Sequence, residues 1–208
     1  NVIIGLSSAG LSSYDSGYNS GIGSNGLTSA RHDVLAKYLK DIYPESFDHE
    51  VPDELTYCGS KKITDKIDNF NLDIGKMLLS PTRSYAPLLK MIFDNVGRKK
   101  INGIIHCTGG GQTKILHFID NLHIIKDNLF ETPPIFKLIQ QESNTDSKEM
   151  YKVFNMGHRM EIYTDSENAP EIIKISESVG INAKIIGKVL ESSSKKLTIQ
   201  SELGNFEY

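Results

Sequence analysis

Residues 101–122, INGIIHCTGGGQTKILHFIDNL, predict a buried strand, a triple-glycine turn and a helix in immediate succession. The run 101–107 is largely apolar, as in strands that are buried on both faces, so we expect it at the centre of a sheet. The glycines at 109–111 can adopt φ > 0 and let a ligand approach the backbone. A helix from about Gln112 would present free N–H groups and a positive dipole end. The stretch therefore predicts an anion site, with a ligand-free tight turn as the alternative.

The composition of the chain indicates a globular protein of one large domain or two small ones. It has 208 residues, 38% of them hydrophobic and 24% charged, with a net charge of −3 that gives no general attraction for nucleic acid. No apolar run is long enough to span a membrane. Cys58 and Cys107 do not form a disulfide framework, so we expect a reducing, cytoplasmic compartment. The chain begins with Asn1 and an apolar strand, which we interpret as a piece of a longer polypeptide.

Hydrophobic periodicity predicts one α/β domain with a mixed sheet flanked by helices. We expect strands near 2–6, 101–107, 158–164, 183–191 and 196–201, with a short strand at 55–58, a strand-like segment at 123–125 and an edge from the tail at 205–208. The crossover helix after 158–164 predicts a parallel pair, and the turn at 192–195 predicts a hairpin between the last two strands. One helix is expected over 27–42, ended by Pro44.

The segment 5–26 is rich in Gly and Ser and leads into the start of that helix. It is either a flexible linker or a loop that delivers backbone N–H groups to an anion. Arg31, one turn into the helix, is a candidate clamp, or else a solvated helix residue. The pattern Gly21-x-Gly23-x-x-Gly26 also matches a dinucleotide fingerprint. We give that match little weight, because the fingerprint requires a strand immediately before the glycines.

The sequence Ser80-Pro81-Thr82-Arg83 predicts a third helix start, with Ser80 as the N-cap and the proline in the first turn. Arg83 would be unfavourable beside the helix dipole unless it met a phosphate or a carboxylate. The six histidines show no metal-ligand spacing, and no nucleophile elbow or Walker-type loop is present. The residues alone thus predict a protein that binds a phosphorylated small molecule.

Five motifs occur together in the order and spacing of one family. They are Ser24-Asn25-Gly26, Ser80-Pro81-Thr82-Arg83, His106-Cys107-Thr108-Gly109-Gly110-Gly111, Pro133-Pro134-Ile135-Phe136 and Phe154-Asn155-Met156-Gly157. Over essentially its whole length, the chain resembles the C-terminal domain of phosphoribosylformylglycinamidine cyclo-ligase, also called aminoimidazole ribonucleotide synthetase.

The resemblance implies an ATP-dependent enzyme of purine biosynthesis that closes the ring of formylglycinamidine ribonucleotide. In the family the amide oxygen is phosphorylated and the amidine nitrogen then attacks intramolecularly. Family members are homodimers of two-domain subunits, with Mg²⁺ and ATP held mainly by an N-terminal domain, which would be absent from residues 1–208. Such a chain should not catalyse the reaction alone. The candidate catalytic residue is His106, and the candidate substrate- or phosphate-binding residues are Ser24, Asn25, Gly26, Arg31, Arg83, Thr108, Gly109, Gly110, Gly111, Gln112 and Lys114.

The sequence departs from the family pattern after the triple glycine, where a Leu-x-Glu-Asn-x-Pro-Arg stretch is usual. Here residues 112–117 read Gln-Thr-Lys-Ile-Leu-His, and Lys114 is the candidate replacement for the family's arginine. Gly23 also stands where the family often has His. The alternatives are a related enzyme, such as selenophosphate synthetase, thiamine-monophosphate kinase or the large purine amidotransferase, and a non-catalytic nucleotide-binding module.

Overall fold

The computed structural model describes residues 1–24, 26–67, 70 and 72–208, which contain one mixed sheet in the strand order β2-β4-β1-β5-β3-β6-β7. The strands are β1 (Val2–Ser7), β2 (Ile101–His106), β3 (Leu122–Lys126), β4 (His158–Thr164), β5 (Ala183–Glu191), β6 (Lys196–Ser201) and β7 (Gly204–Glu207). The helices are α1 (Leu27–Val34), α2 (Tyr38–Ile42), α3 (Ile74–Leu78), α4 (Ala86–Asn95), α5 (Pro134–Ser143), α6 (Ser147–Val153) and α7 (Ala169–Ser178). The predicted fold class is confirmed.

Two apolar layers cover the two faces of the sheet. Successive side chains of a strand point to opposite faces, and in β1 Ile3 and Ile4 accordingly belong to different hydrophobic clusters. The Ile4 cluster packs under α4 and α7, whereas the Ile3 cluster packs under α1, α3, α5 and α6. The segment that follows β1 therefore begins at a strand whose two faces are both covered.

Strand β2 lies at an edge of the sheet, so the expected central position is wrong. It pairs with β4 alone. Ile105 packs in one apolar cluster, while Ile101 and Ile104 pack against the other. The apolar sequence thus reflects two covered faces, and covered faces do not require a hydrogen-bonded neighbour on both edges. The strand that is buried throughout is β4, which lies between β2 and β1 and in which all seven residues are buried.

The C-terminal strands begin and end where the sequence predicts, but their neighbours differ from the prediction. Strand β3 lies between β5 and β6, antiparallel to β5 and parallel to β6. The predicted β5–β6 hairpin is therefore wrong, and β6 forms its hairpin with the edge strand β7. Strands β4 and β5 both run antiparallel to β1 and hence parallel to each other, separated by β1.

Three local predictions also fail for identifiable reasons. Helix α4 begins at Ala86 rather than near Ser80, because Pro87 lacks an N–H and fits only the first turn of a helix. The helix expected over 27–42 is divided into α1 and α2, since Leu35 and Ala36 form β-bridges with the segment at 59–61. The strand expected at 55–58 does not form, and Leu55 instead ends a 3₁₀ turn, Asp53–Leu55. No helix in the described ranges is long and apolar enough to cross a bilayer.

Candidate functional site

The Gly/Ser loop after β1 packs against two other segments whose motifs carry the family resemblance, 80–83 and 154–157. The backbone N–H of Ser20 donates to Ser80 Oγ at 3.0 Å, and Asn19 Nδ2 donates to the Pro81 carbonyl at 2.8 Å. From the opposite side, Asn155 Nδ2 donates to the Gly21 carbonyl at 2.8 Å. The loop 19–24, the segment 80–83 and the Phe-Asn-Met-Gly turn therefore meet at one end of the sheet.

The start of α1 forms the exposed rim of this meeting point. Ser24 is exposed, and its N–H donates to Thr82 Oγ1 at 3.1 Å, with the two hydroxyl oxygens 3.2 Å apart. Gly26 precedes α1 with φ 73°, and a methyl group there would lie 2.5 Å from the Phe154 ring. Asn25 lies outside the described residues. Ser24 and Gly26 thus keep their predicted place at a helix start that faces the other segments.

The two predicted arginine clamps make internal contacts. Arg83 is buried and donates to the carbonyls of Ser7 and Gly10, at 3.1 and 2.8 Å, and to the Asp15 carboxylate at 2.9 Å. Arg83 therefore fixes the path of the loop that leaves β1. Arg31 is half-buried and donates to the Ser46 carbonyl at 3.1 Å.

Burial alone would raise the pKa of Asp15, but a hydrogen bond from the Ser12 N–H and the charge of Arg83 lower it on balance. The Asp15 carboxylate is therefore ionised at neutral pH. Arg83 was expected to meet a phosphate or a carboxylate, and the Asp15 carboxylate is its partner.

The triple glycine opens a 3₁₀ helix, Gly111–His117, instead of the α-helix that was predicted there. Gly109, Gly110 and Gly111 have φ of +44°, +102° and +47°, so all three use the left-handed region. A methyl group on Gly111 would lie 2.6 Å from the carbonyl oxygens of Tyr151 and Phe154. Gly111 is thus fixed by packing against the end of α6, whereas Gly109 is exposed and a methyl group there would have no neighbour within 4 Å among the described atoms.

Gln112 belongs to a buried polar network under the triple glycine, so its side chain points inward. Its Nε2 donates to the carbonyls of Asn155 and His158. Lys126 Nζ donates to the Gln112 carbonyl at 2.8 Å and to its Oε1 at 2.9 Å, and also contacts the Glu161 carboxylate. The network joins the triple-glycine turn to the Phe-Asn-Met-Gly turn through hydrogen bonds that water does not reach.

Glu161 is the anionic centre of this network. Its Oε1 accepts from His158 Nε2 at 2.9 Å, and its Oε2 accepts from the Tyr163 hydroxyl at 2.6 Å. Burial would raise the pKa of this carboxyl, but the Lys126 charge and the His158 hydrogen bond outweigh it and lower the pKa far below its ordinary value. Cys107, His158 and Glu161 present potential metal-ligand atoms within 4.8 Å of one another. The Lys126 ammonium already supplies a cation to the same carboxylate oxygen as His158.

His106, Thr108 and Lys114 line an apolar cavity of about 680 Å³. The rest of the lining comes mainly from β2, β3, β4 and the 3₁₀ helix, including Ile105, Ile115, Ile124 and Tyr163. Lys114 Nζ donates to the Thr108 carbonyl at 2.9 Å, which folds its cationic end over the triple glycine. These polar groups beside an apolar cavity have the chemistry of a site for a heterocycle with a charged substituent.

His106 is held in its neutral form in this cavity lining. Its pKa is lowered first by burial and then by the positive charges of Arg159 and Lys114. Its Nε2 is buried and has no hydrogen-bond partner within the described ranges. A neutral imidazole in this position can donate or accept a proton when a ligand reaches it.

Arg159 packs against the candidate site, a position that was not predicted from the sequence. It lies in β4, is 2% exposed, and donates from Nη2 to the Gly21 carbonyl at 2.6 Å. A methyl group on Gly23 would lie 1.7 Å from its Nη1, so the guanidinium packs directly against the glycine loop. The sequence did offer one signal, because HRMEIYT at 158–164 places an arginine within a predicted strand.

Comparison with protein families decides the relationship that these loops suggest. Residues 1–200 match the family described as "AIR synthase related protein, C-terminal domain". The chain belongs to this family. The resemblance that the five motifs indicate is therefore confirmed over nearly all 208 residues.

Curated relatives of this AIR synthase-related chain carry the name phosphoribosylformylglycinamidine cyclo-ligase. The one from Methanocaldococcus jannaschii is 35% identical over 175 residues, which are 84% of this chain and 43% of the relative. The one from Methanococcus vannielii is 34% identical over 189 residues, covering 88% of this chain and 47% of the relative. A third, from Methanococcus maripaludis, is 32% identical and covers 99% of this chain and 50% of its own. The chain thus spans about half the length of the curated relatives it matches.

Proposed function

We propose that this chain is the C-terminal, substrate-binding portion of a phosphoribosylformylglycinamidine cyclo-ligase. One observation carries the proposal: three segments that are distant in sequence, 19–24, 80–83 and 154–157, are joined by hydrogen bonds at one end of the sheet. The names of the relatives supply the reaction, and the convergent loops supply a place for its phosphorylated substrate.

The proposed substrate is formylglycinamidine ribonucleotide, and ATP is the phosphoryl donor. Transfer of the γ-phosphoryl group to the amide oxygen makes that oxygen a leaving group. The amidine nitrogen then attacks the same carbon, and the products are aminoimidazole ribonucleotide, ADP and phosphate. Such a reaction requires neutralised phosphate charge and fixed geometry more than it requires a protein nucleophile.

Residues of the glycine turns and of the cavity lining fit these requirements. We assign phosphate-type contacts to the turn 109–111, to the Lys114 ammonium beside it, and to residues 24–26, which precede α1. Thr108 lines the cavity together with Lys114 and His106. His106 is neutral there and is the group placed to exchange a proton with the closing ring.

The carboxylates that the structure places near the loops do not fit a Mg²⁺ site. Mg²⁺ requires several oxygen ligands in octahedral geometry. Asp15 is paired with Arg83, and Glu161 is buried against Lys126. We therefore assign Mg²⁺ and the ATP-binding groups to the part of the polypeptide that the relatives have beyond this chain, and we propose a cytoplasmic homodimer for the longer protein.

The test uses the longer polypeptide that contains this chain, assayed by ADP release with formylglycinamidine ribonucleotide and Mg-ATP. Lys114→Met should lower kcat/KM about 10²-fold to 10³-fold, which is the usual effect of removing one charge-stabilising donor. His106→Asn should lower kcat. Lys99→Met is the matched control, because Lys99 is exposed and lies outside the loops. Normal turnover by both site variants would contradict the proposal.

The 208-residue chain alone should give no ADP release, because we assign the groups that bind Mg-ATP to the part of the polypeptide beyond residues 1–208. Turnover within about tenfold of the longer protein, a barrier difference of about 1.4 kcal/mol, would show that the catalytic groups lie within residues 1–208.

A further inference from the structure

Three buried hydrogen-bond donor atoms next to the turn at residues 21–23 lack acceptors among the described residues. They are Nε and Nη1 of Arg159 and the hydroxyl of Ser8. Arg159 is 2% exposed and Ser8 is 1% exposed. A methyl group on Gly21 would lie 2.7 Å from Ser8 Oγ, and one on Gly23 would lie 1.7 Å from Arg159 Nη1. The unsatisfied donors therefore adjoin the same short turn.

The positive charge of Arg159 is not balanced by an acid in the part of the chain that the structure describes. The groups that act on it are Tyr85, Cys107 and Arg83. Burial raises the pKa of the Tyr85 hydroxyl and the Cys107 thiol, so both are neutral at pH 7, and Arg83 is a second cation. The nearby carboxylates are committed elsewhere, in the Arg83–Asp15 and Lys126–Glu161 pairs.

A buried charge without a partner costs several kcal/mol, and buried donors without acceptors add to that cost. An arginine that only filled space at this position could be replaced by an apolar residue with a gain in stability. A buried guanidinium next to a hydroxyl without a partner can instead bind an anionic ligand.

We propose that Arg159 and Ser8 form a binding site for a tetrahedral phosphate group, which is reached when the turn 21–23 moves aside. The inference rests on the proposed function for the origin of that group, which is either the 5′-phosphate of the ribonucleotide or the phosphate released from ATP. Charge-assisted hydrogen bonds from Nε and Nη1 would satisfy the donors that the closed turn leaves unpaired.

In the proposed site the turn 21–23 opens and closes over Arg159. Its closed position is held at the Gly21 carbonyl by Arg159 Nη2, at 2.6 Å, and by Asn155 Nδ2, at 2.8 Å. Gly21 and Gly23 have φ of +90° and +58°, a region that other residues rarely adopt, so the backbone can change conformation there at little steric cost. When phosphate binds, Arg159 would lose its contact with the Gly21 carbonyl and gain several charge-assisted hydrogen bonds to the phosphate oxygens.

The experiment measures binding of inorganic phosphate to the 208-residue chain by calorimetry and thermal shift, with chloride at matched ionic strength. The wild type should bind phosphate saturably, with a melting temperature that rises with phosphate concentration. Arg159→Gln should weaken phosphate binding at least tenfold, and Arg159→Lys should retain part of it. Arg98→Gln is the control, because Arg98 is exposed and lies just before the first residue of β2, at the end of that strand opposite to the triple glycine.

A second readout separates ligand binding from a structural role. Without phosphate, Arg159→Gln should melt at or above the wild-type temperature, because it removes an unbalanced buried charge. A lower melting temperature for Arg159→Gln, combined with unchanged phosphate affinity, would overturn the proposal. Absence of phosphate binding to the wild type would overturn it as well.

The source of the phosphate group is decided by competition. If formylglycinamidine ribonucleotide displaces inorganic phosphate from the wild type, the site takes the 5′-phosphate; if both bind together, it takes the released phosphate. Ribonucleotide binding that is identical in wild type and Arg159→Gln, with no Arg159-dependent phosphate binding, would refute this inference and leave the proposed function intact. Arg159-dependent phosphate binding without any ribonucleotide binding would support the inference and refute the proposed function.

Discussion

Replacement of Lys126 by Met should reverse the dependence of stability on pH. Lys126 and Glu161 are both 0% exposed, and the ammonium also donates to two oxygens of Gln112, at 2.8 and 2.9 Å. Removing one partner of a buried pair leaves an uncompensated charge and typically costs about 3–5 kcal/mol. That is a large share of the roughly 5–15 kcal/mol by which such domains are stable.

The sign of the effect follows from the protons bound in each state. In the wild type, the Glu161 pKa is lowered below its unfolded value and the His158 pKa is lowered by burial, so the folded state binds fewer protons. Wild-type stability therefore rises with pH up to about the unfolded histidine pKa of about 6.5. In Lys126→Met the Glu161–His158 pair takes up one proton to replace the lost ammonium. Stability of the variant then falls as pH rises from about 6.5 to 8, because the unfolded chain does not hold that proton.

The assay is urea denaturation at several pH values, with Lys90→Met as the matched control. Lys90 pairs with Asp94 at 2.6 Å on the surface, where its side chain is 74% exposed. Such exposed pairs contribute at most about 1 kcal/mol. A Lys126→Met variant within about 1 kcal/mol of wild type, or with the same slope against pH, would refute the assignment of a charged buried pair.

Three further outcomes follow from local geometry. Gly111→Ala should lower the free energy of unfolding by about 1–3 kcal/mol in urea denaturation, since its φ is +47° and its methyl group would meet two carbonyl oxygens at 2.6 Å. Asp146→Ala should cost about 1 kcal/mol in the same assay, because the Asp146 carboxylate caps α6. A thiol reagent should label exposed Cys58 in the native protein, whereas Cys107, which is buried and has a raised pKa, should react only on unfolding.

The sequence predicts those elements whose signals are local. Strands β4, β5 and β6 begin and end as predicted, because alternating side chains and turn residues mark both ends of each strand. The edge position of β2 could not be predicted, since an apolar pattern records covered faces and carries no information on edge pairing. The break between α1 and α2 likewise depends on bridges to residues 59–61, which helical periodicity does not report.

The loops of the candidate site could be predicted from the sequence, but the partners of its charged side chains could not. The glycine turns and the Ser-Pro-Thr-Arg segment show as motifs, and the structure brings the loop 19–24 and the segment 80–83 together. Arg83 was expected to meet a phosphate or a carboxylate, and it meets Asp15. The state of Arg159 depends on which acids the fold pairs with other cations. That pairing is set by three-dimensional packing, and so it could not be read from the strand in which Arg159 lies.

The central place of β1 sets the order in which this sheet can assemble on the ribosome. Its two hydrogen-bonded neighbours, β4 and β5, are formed by residues 158–191, so they are synthesised long after β1. Contacts between residues so distant in sequence slow folding, because a long loop must close before any pairing energy is gained. The nascent apolar β1 must therefore wait unpaired while most of the chain is made, a period in which exposed strands are prone to aggregation. Chaperone binding to β1 should accordingly persist until β5 has left the exit tunnel.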